Sequence, residues 1–115
     1  MSRDINYKIK MNNGVEIPQF GLGVYLTNSG HECVNAVTWA LEAGYRHIDT
    51  AKIYGNEKEV GEAVRNARVR REEIFITTKL WNDDHGYLPA LKAFDKSLKT
   101  LNTDYIDCYL IHWPV

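Results

Sequence analysis

Residues 74–81 read IFITTKLW. Ile74, Phe75 and Ile76 are β-branched or aromatic, and Thr77 and Thr78 suit a pleated surface, so the stretch reads as a strand. It finishes on Lys79, an ammonium that is costly in a low dielectric unless it is paired, loses its proton or reaches water. The segments on either side decide what kind of sheet holds this strand. Further apolar runs lie at 20–25 (FGLGVY), 45–51 (YRHIDTA) and 106–114 (IDCYLIHWP). Between consecutive runs the apolar residues recur at helical spacing: Val34, Val37 and Leu41, then Val60, Ala63, Val64 and Ala67, then Leu88, Leu91, Phe94, Leu98 and Leu101. Gly44 is placed to cap the first of these helices, and Glu57 and Glu59 carry the favourable charge for the start of the second. Pro89 is tolerable near the start of the third.

Strands separated by helix-length segments pair in parallel. Ahead of them, residues 7–18 alternate through Tyr7, Ile9 and Met11, turn at Asn12-Asn13-Gly14 and resume at Val15 and Ile17, the pattern of a β-hairpin. Two α/β architectures fit this order. A doubly wound sheet requires a glycine-rich turn opening its first helix, whereas Gly21 and Gly23 lie inside a strand run. A complete (β/α)₈ barrel takes about 250 residues. Residues 1–115 are therefore expected to form the first four strands of a (β/α)₈ TIM-barrel type fold, preceded by the hairpin.

The charge balance, 14 Lys+Arg against 15 Asp+Glu for a net charge of -1, gives no reason to expect nucleic acid or an acidic membrane as partner. Residues 1–10 contain no apolar core of a signal peptide, and no run approaches membrane-span length. Cys33 and Cys108 match no metal or redox spacing and read as two reduced thiols of a cytoplasmic protein. Arg65, Arg68, Arg70 and Arg71 read as a solvated loop, and His31 and His85 as residues of connecting segments.

In a parallel barrel the chemistry sits at the C-terminal ends of the strands. Here three successive strands turn polar at that end, at Asp49, Lys79 and His112, and Tyr54 follows in the loop after Asp49. Singly, each has a bland reading: a loop-closing aspartate, a half-buried tyrosine, a snorkelling lysine, a core histidine. Together they make chemical sense. An ammonium beside a phenol favours the phenolate, and a carboxylate beyond it keeps the lysine charged and aimed. Such a phenol can protonate a carbonyl oxygen while hydride reaches the carbon, with His112 orienting the same oxygen, and nothing in this requires a metal. A Schiff-base aldolase using Lys79 is disfavoured by Asp49, and a metal hydrolase using His47, Asp49 and His112 leaves Lys79 and Tyr54 idle.

The phrases GYRHIDTAKIYGNEKEVG, FITTKLWN and DYIDCYLIHWP closely resemble the aldo-keto reductase family, and FGLGVY resembles its first strand. The local flavour is similar to its glyoxal, diketogluconate and prostaglandin reductase branch. The resemblance implies NADPH as hydride donor and a small aldehyde or ketone as acceptor. It places the catalytic tetrad on Asp49, Tyr54, Lys79 and His112, the nicotinamide ribose near Gly23, Val24 and Asp49, and the substrate pocket at Tyr25, Trp81 and Trp113. Tyr25 departs from the tryptophan often found there. The resemblance also puts most of the cofactor grip in four further strands, so a lone copy is expected not to bind NADPH normally. Its open sheet edges are expected to invite pairing of half barrels. The alternative reading is an inert fragment or a non-catalytic barrel, the latter opposed by the presence of Tyr54 and Lys79.

Overall fold

The computed structural model describes residues 4–115, so the first three residues of the expected domain and of the leader reading lie outside the described residues. A hairpin opens the fold. β1 (Lys8–Lys10) runs antiparallel to β2 (Glu16–Pro18) with Ile9 opposite Ile17. Gly14 takes φ +87°, a left-handed turn position that glycine fills without steric cost, and its N–H donates to the Met11 carbonyl at 3.0 Å.

The main sheet follows as β3 (Leu22–Gly23), α1 (His31–Glu42), β4 (His47–Asp49), α2 (Glu57–Asn66), β5 (Phe75–Leu80), α3 (Tyr87–Leu101) and β6 (Cys108–Ile111). Its four strands pair in parallel in the order β3-β4-β5-β6, leaving β3 and β6 as edges. Short 3₁₀ turns at Lys52–Tyr54 and Asn82–Asp84 follow β4 and β5. α1 packs on α2 and α2 on α3, so the helices lie side by side on one face of the sheet. Ile48 and Ile76 point to that face and share one core with Val37, Leu41, Val60 and Val64. Full burial of each isoleucine contributes about 1.5–3 kcal/mol. Strand alternation then turns Asp49, Thr77 and Lys79 to the opposite face.

α1 ends as expected at Gly44 (φ +104°), with the Gly44 N–H on the Leu41 carbonyl at 3.1 Å and the Tyr45 N–H on the Ala40 carbonyl at 2.9 Å. Cys33, on the inner face of α1, is fully buried, and its thiol is pushed up to about 11 by that burial and by the carboxylates of Glu59 and Glu32.

Several expectations need correction. His31 is the first residue of α1 and not part of a connection, because the Glu32 carboxylate accepts the Asn28 N–H at 3.1 Å and closes the helix start. On α3 the buried face is Ala93, Ser97 and Leu101, while Leu88 and Leu91 are exposed. Gly61 of α2 lies so close to Leu101 that a Cβ there would stand 2.0 Å from its carbonyl oxygen, and helices this near admit small residues between them. Nor is the arginine cluster a solvated loop throughout. Arg71 donates to Thr103 Oγ1, the Ile74 carbonyl and the Tyr105 carbonyl at 3.0, 2.6 and 2.8 Å, and pairs with Asp107 at 2.9 Å. Arg65 donates to the Leu101 carbonyl at 2.6 Å.

His47 joins the hairpin to the start of β4. Its Nδ1 lies 3.2 Å from the Pro18 carbonyl and its Nε2 2.9 Å from Thr77 Oγ1. A carbonyl can only accept, so Nδ1 carries the proton and the bare Nε2 accepts the Thr77 hydroxyl. Both ring nitrogens are satisfied in the neutral form, and burial lowers the His47 pKa from its ordinary 6.5. The stability contributed by neutral His47 is thus present above that value and lost as pH falls through the folded one. Thermal midpoints taken between pH 7.5 and 5 are expected to fall more steeply for the natural chain than for His47→Gln, whose amide offers one donor and one acceptor without titrating. Parallel curves would remove His47 from the pH response.

Candidate active site

The polar residues of the strand ends come together on the sheet face away from the helices. Lys79, near the end of β5, donates to Asp49 Oδ1 of β4 at 2.5 Å and to the Thr50 carbonyl at 2.8 Å. Its Nζ also stands 3.4 Å from the Tyr54 hydroxyl and 5.0 Å from the centre of that ring. The lysine is therefore paired and hydrogen-bonded, as a half-buried ammonium has to be.

Tyr54 closes the 3₁₀ turn after β4, whose C-cap Gly55 takes φ +72°. His112 sets its ring edge-on to Tyr54 at 5.8 Å and to Trp81 at 5.3 Å, and Trp81 in turn meets Trp113 at 6.0 Å. Tyr25 packs on Tyr54 from the other side at 5.2 Å. Nδ1 of His112 is buried without a hydrogen-bond partner among the described residues.

Asp49, Tyr54, Lys79 and His112 thus share one site with Tyr25, Trp81 and Trp113 around it. Gly23 lies beside Asp49 in the sheet register, exposed and with open space where a Cβ would stand. Val24 does not join them at the surface. It is fully buried in the core, its N–H donates to the Asp49 carbonyl at 3.1 Å, and its carbonyl accepts from Asn56 at 3.0 Å. His47 is engaged by Pro18 and Thr77, and among the described residues no three His, Cys, Asp or Glu side chains converge as metal ligands.

A second layer of polar residues escaped sequence reasoning. Asn56 is fully buried, and its amide NH₂ donates to the carbonyls of Val24 and Thr27 at 3.0 and 3.2 Å while its oxygen accepts the Thr50 hydroxyl at 2.7 Å. Glu57, read as a helix-start charge, is also buried and accepts the Thr78 hydroxyl at 2.7 Å. Burial, with the Glu57 and Asp84 carboxylates, pushes the Tyr109 phenol up to about 12. Lys52 and Asp84 form an ion pair between the turns that carry Tyr54 and follow Trp81. Asn56 and Glu57 follow Tyr54 almost directly, and that polar run was the signal available.

Leu26 takes φ +63°, left-handed for a residue with a Cβ, at a cost on the order of 1–2 kcal/mol. It sits third in the turn Val24–Thr27, which the Thr27 N–H closes on the Val24 carbonyl at 3.0 Å.

Residues 19–115 match the aldo/keto reductase family, and the chain belongs to it. It is 54% identical over 110 residues to the 9,11-endoperoxide prostaglandin H2 reductase of Trypanosoma cruzi, a match covering 95% of this chain and 39% of that protein. It is 51% identical over 114 residues to the glyoxal reductase of Bacillus subtilis, covering 99% and 41%. The crystal structure of an aldo/keto reductase from Brucella melitensis superposes with a TM-score of 0.93 at 56% identity, over 100% of this chain and 43% of that one. The Bombyx mori aldo-keto reductase in complex with NADP gives 0.87 at 45%, over 98% and 40%. The chain thus spans about two-fifths of the length of these relatives, and its four parallel strands are part of their barrel. No helix among the described residues is long and apolar enough to cross a membrane.

Proposed function

We propose that residues 1–115 form the N-terminal half of an aldo/keto reductase barrel and carry its proton-transfer apparatus for reducing aldehydes and ketones to alcohols. The observation that supports this most is the run of contacts from Asp49 through Lys79 to Tyr54, at 2.5 and 3.4 Å, with His112 against the Tyr54 ring. Exposed Gly23 beside the partly open Asp49 carboxylate fits the ribose end of a nicotinamide nucleotide, which Asp49 would hold by accepting a hydroxyl. NADPH supplies a hydride to the carbonyl carbon when bound. Tyr54 gives its phenolic proton to the carbonyl oxygen, and together the two additions make the alcohol. Lys79 holds the phenolate left behind, Asp49 keeps Lys79 charged and aimed, and Nε2–H of His112 donates to the same oxygen and fixes its direction. Tyr25, Trp81 and Trp113 wall the space and limit water.

A small carbonyl compound is the partner this site suits. The two thiols, Cys33 and Cys108, both free, agree with a reducing compartment such as the cytoplasm. Pairing of half barrels through the edge strands β3 and β6 belongs to the same proposal, because an unpaired strand edge can accept another chain.

NADPH oxidation with methylglyoxal tests the reading, with the natural chain beside Tyr54→Phe in fractions from gel filtration. Turnover that is lost in the variant is expected, and turnover that travels with a species of two chains supports pairing. Equal rates in chain and variant would remove Tyr54 as the acid, and no turnover from the natural chain would overturn activity of this half by itself.

A further inference from the structure

The turn Val24–Thr27 combines features that a plain connection does not need. Leu26 occupies a left-handed conformation that glycine or asparagine adopts more easily, yet the residue is 80% exposed, so none of the described residues covers it. Neighbouring Tyr25 is 66% exposed while its ring still packs on Tyr54. What fixes the turn is Asn56. Its two amide hydrogens are taken by the carbonyls at the two ends of the turn, and its oxygen by Thr50, next to Asp49. Two acceptor carbonyls admit only the NH₂ end of the amide, so an aspartate could not take its place. One buried side chain thereby ties the Tyr25–Leu26 turn to the segment that carries Tyr54.

We infer that Leu26 is a specificity-determining residue, which with Tyr25 forms an apolar lip for the substituent of the carbonyl compound, and that Asn56 is the positioning residue that holds this lip over Tyr54. The inference rests on the reading of Tyr54 as the acid. The class of substrate it selects is a ketone or aldehyde bearing an aromatic or branched apolar substituent. A polar or minimal carbonyl gains nothing from the lip.

Titration of the chain with acetophenone, followed by carbon-13 methyl NMR of leucine-labelled protein, tests this without requiring turnover. The expected result is a shift of the Leu26 methyls together with the Tyr25 and Trp81 rings, and no comparable shift with acetone. Leu26→Gly is expected to weaken acetophenone about tenfold, the scale of losing a few apolar carbons from a pocket, while its thermal midpoint holds or rises as the strain is released. Asn56→Ala is expected to abolish the Leu26 response in a chain that retains its far-ultraviolet circular dichroism; where that variant unfolds, Leu26→Gly and Leu26→Asn carry the test.

Shifts at Trp81 and Trp113 without any at Leu26 would overturn the lip and leave the Tyr54 site standing. A Leu26→Gly chain with a lowered midpoint and unchanged affinity would make Leu26 structural and overturn the inference. Absence of shifts at all of these residues would overturn the lip and the substrate site together.

Discussion

Under the proposed role of Tyr54, replacing Lys79 by methionine is expected to lower the rate of NADPH oxidation with methylglyoxal by about a thousandfold, within the range lost when assisted proton transfer is removed. Methionine keeps the length and apolar bulk of the stem, so packing changes little. What goes is the charge 3.4 Å from the Tyr54 hydroxyl and the partner 2.5 Å from Asp49. The phenol then has to release its proton with no ammonium to hold the anion, and the carboxylate remains on the site face with its counter-ion gone. The loss should fall on kcat, because the phenolate charge develops only as the proton leaves, after the substrate is bound. A rate within a few-fold of the natural chain would mean that Tyr54 transfers its proton unaided, and the run of contacts would then be structural.

The largest effect on stability is expected at Gly61→Ala. In an exposed helix interior this exchange gains about 1 kcal/mol. Here the added methyl would lie 2.0 Å from the Leu101 oxygen, 2.7 Å from its carbon and 2.9 Å from Arg65 Nη1. Two of those atoms are backbone and cannot rotate away, so α2 and α3 must part. Parting them also breaks the 2.6 Å bond from Arg65 to the Leu101 carbonyl and opens the core beside Val64 and Leu101. Overpacking of this kind costs about 1–3 kcal/mol or more, and with the lost bond a net destabilisation of about 3 kcal/mol is expected. In a domain of this size that lowers the thermal midpoint by roughly 15 °C. Circular dichroism at 222 nm measures it directly. A midpoint equal to or above that of the natural chain would show that the helices slide apart without resistance.

These two cases mark what the sequence made legible. Lys79 could be read because a charge at the end of an apolar strand contradicts its surroundings, and strand alternation says which neighbours can answer it. The parallel order could be read because helix-length spacing excludes hairpins. Gly61 could not, since the residue it touches lies forty positions later and periodicity carries no information on how closely two helices approach. The α3 stripe is only partly right: Leu88, Leu91, Phe94, Leu98 and Leu101 follow the right period, but the buried residues are the small Ala93 and Ser97 with Leu101. Val24, which the resemblance puts near the nicotinamide ribose, turns its side chain into the core while its N–H donates to the Asp49 carbonyl. Asn56 holds segments about thirty positions apart, a relation that no local pattern expresses.

Cys33 has a practical consequence of its own. A thiol attacks alkylating reagents as its anion, and at neutral pH a sulfur held near 11 inside the sheet–helix core offers almost none and no path to it. Its modification can proceed only through molecules in which α1 has lifted from the sheet. Partly exposed Cys108 on β6 has no such shield. The chain therefore carries its own clock for opening: the slower of two labelling rates counts how often the first helix leaves, without any probe being added.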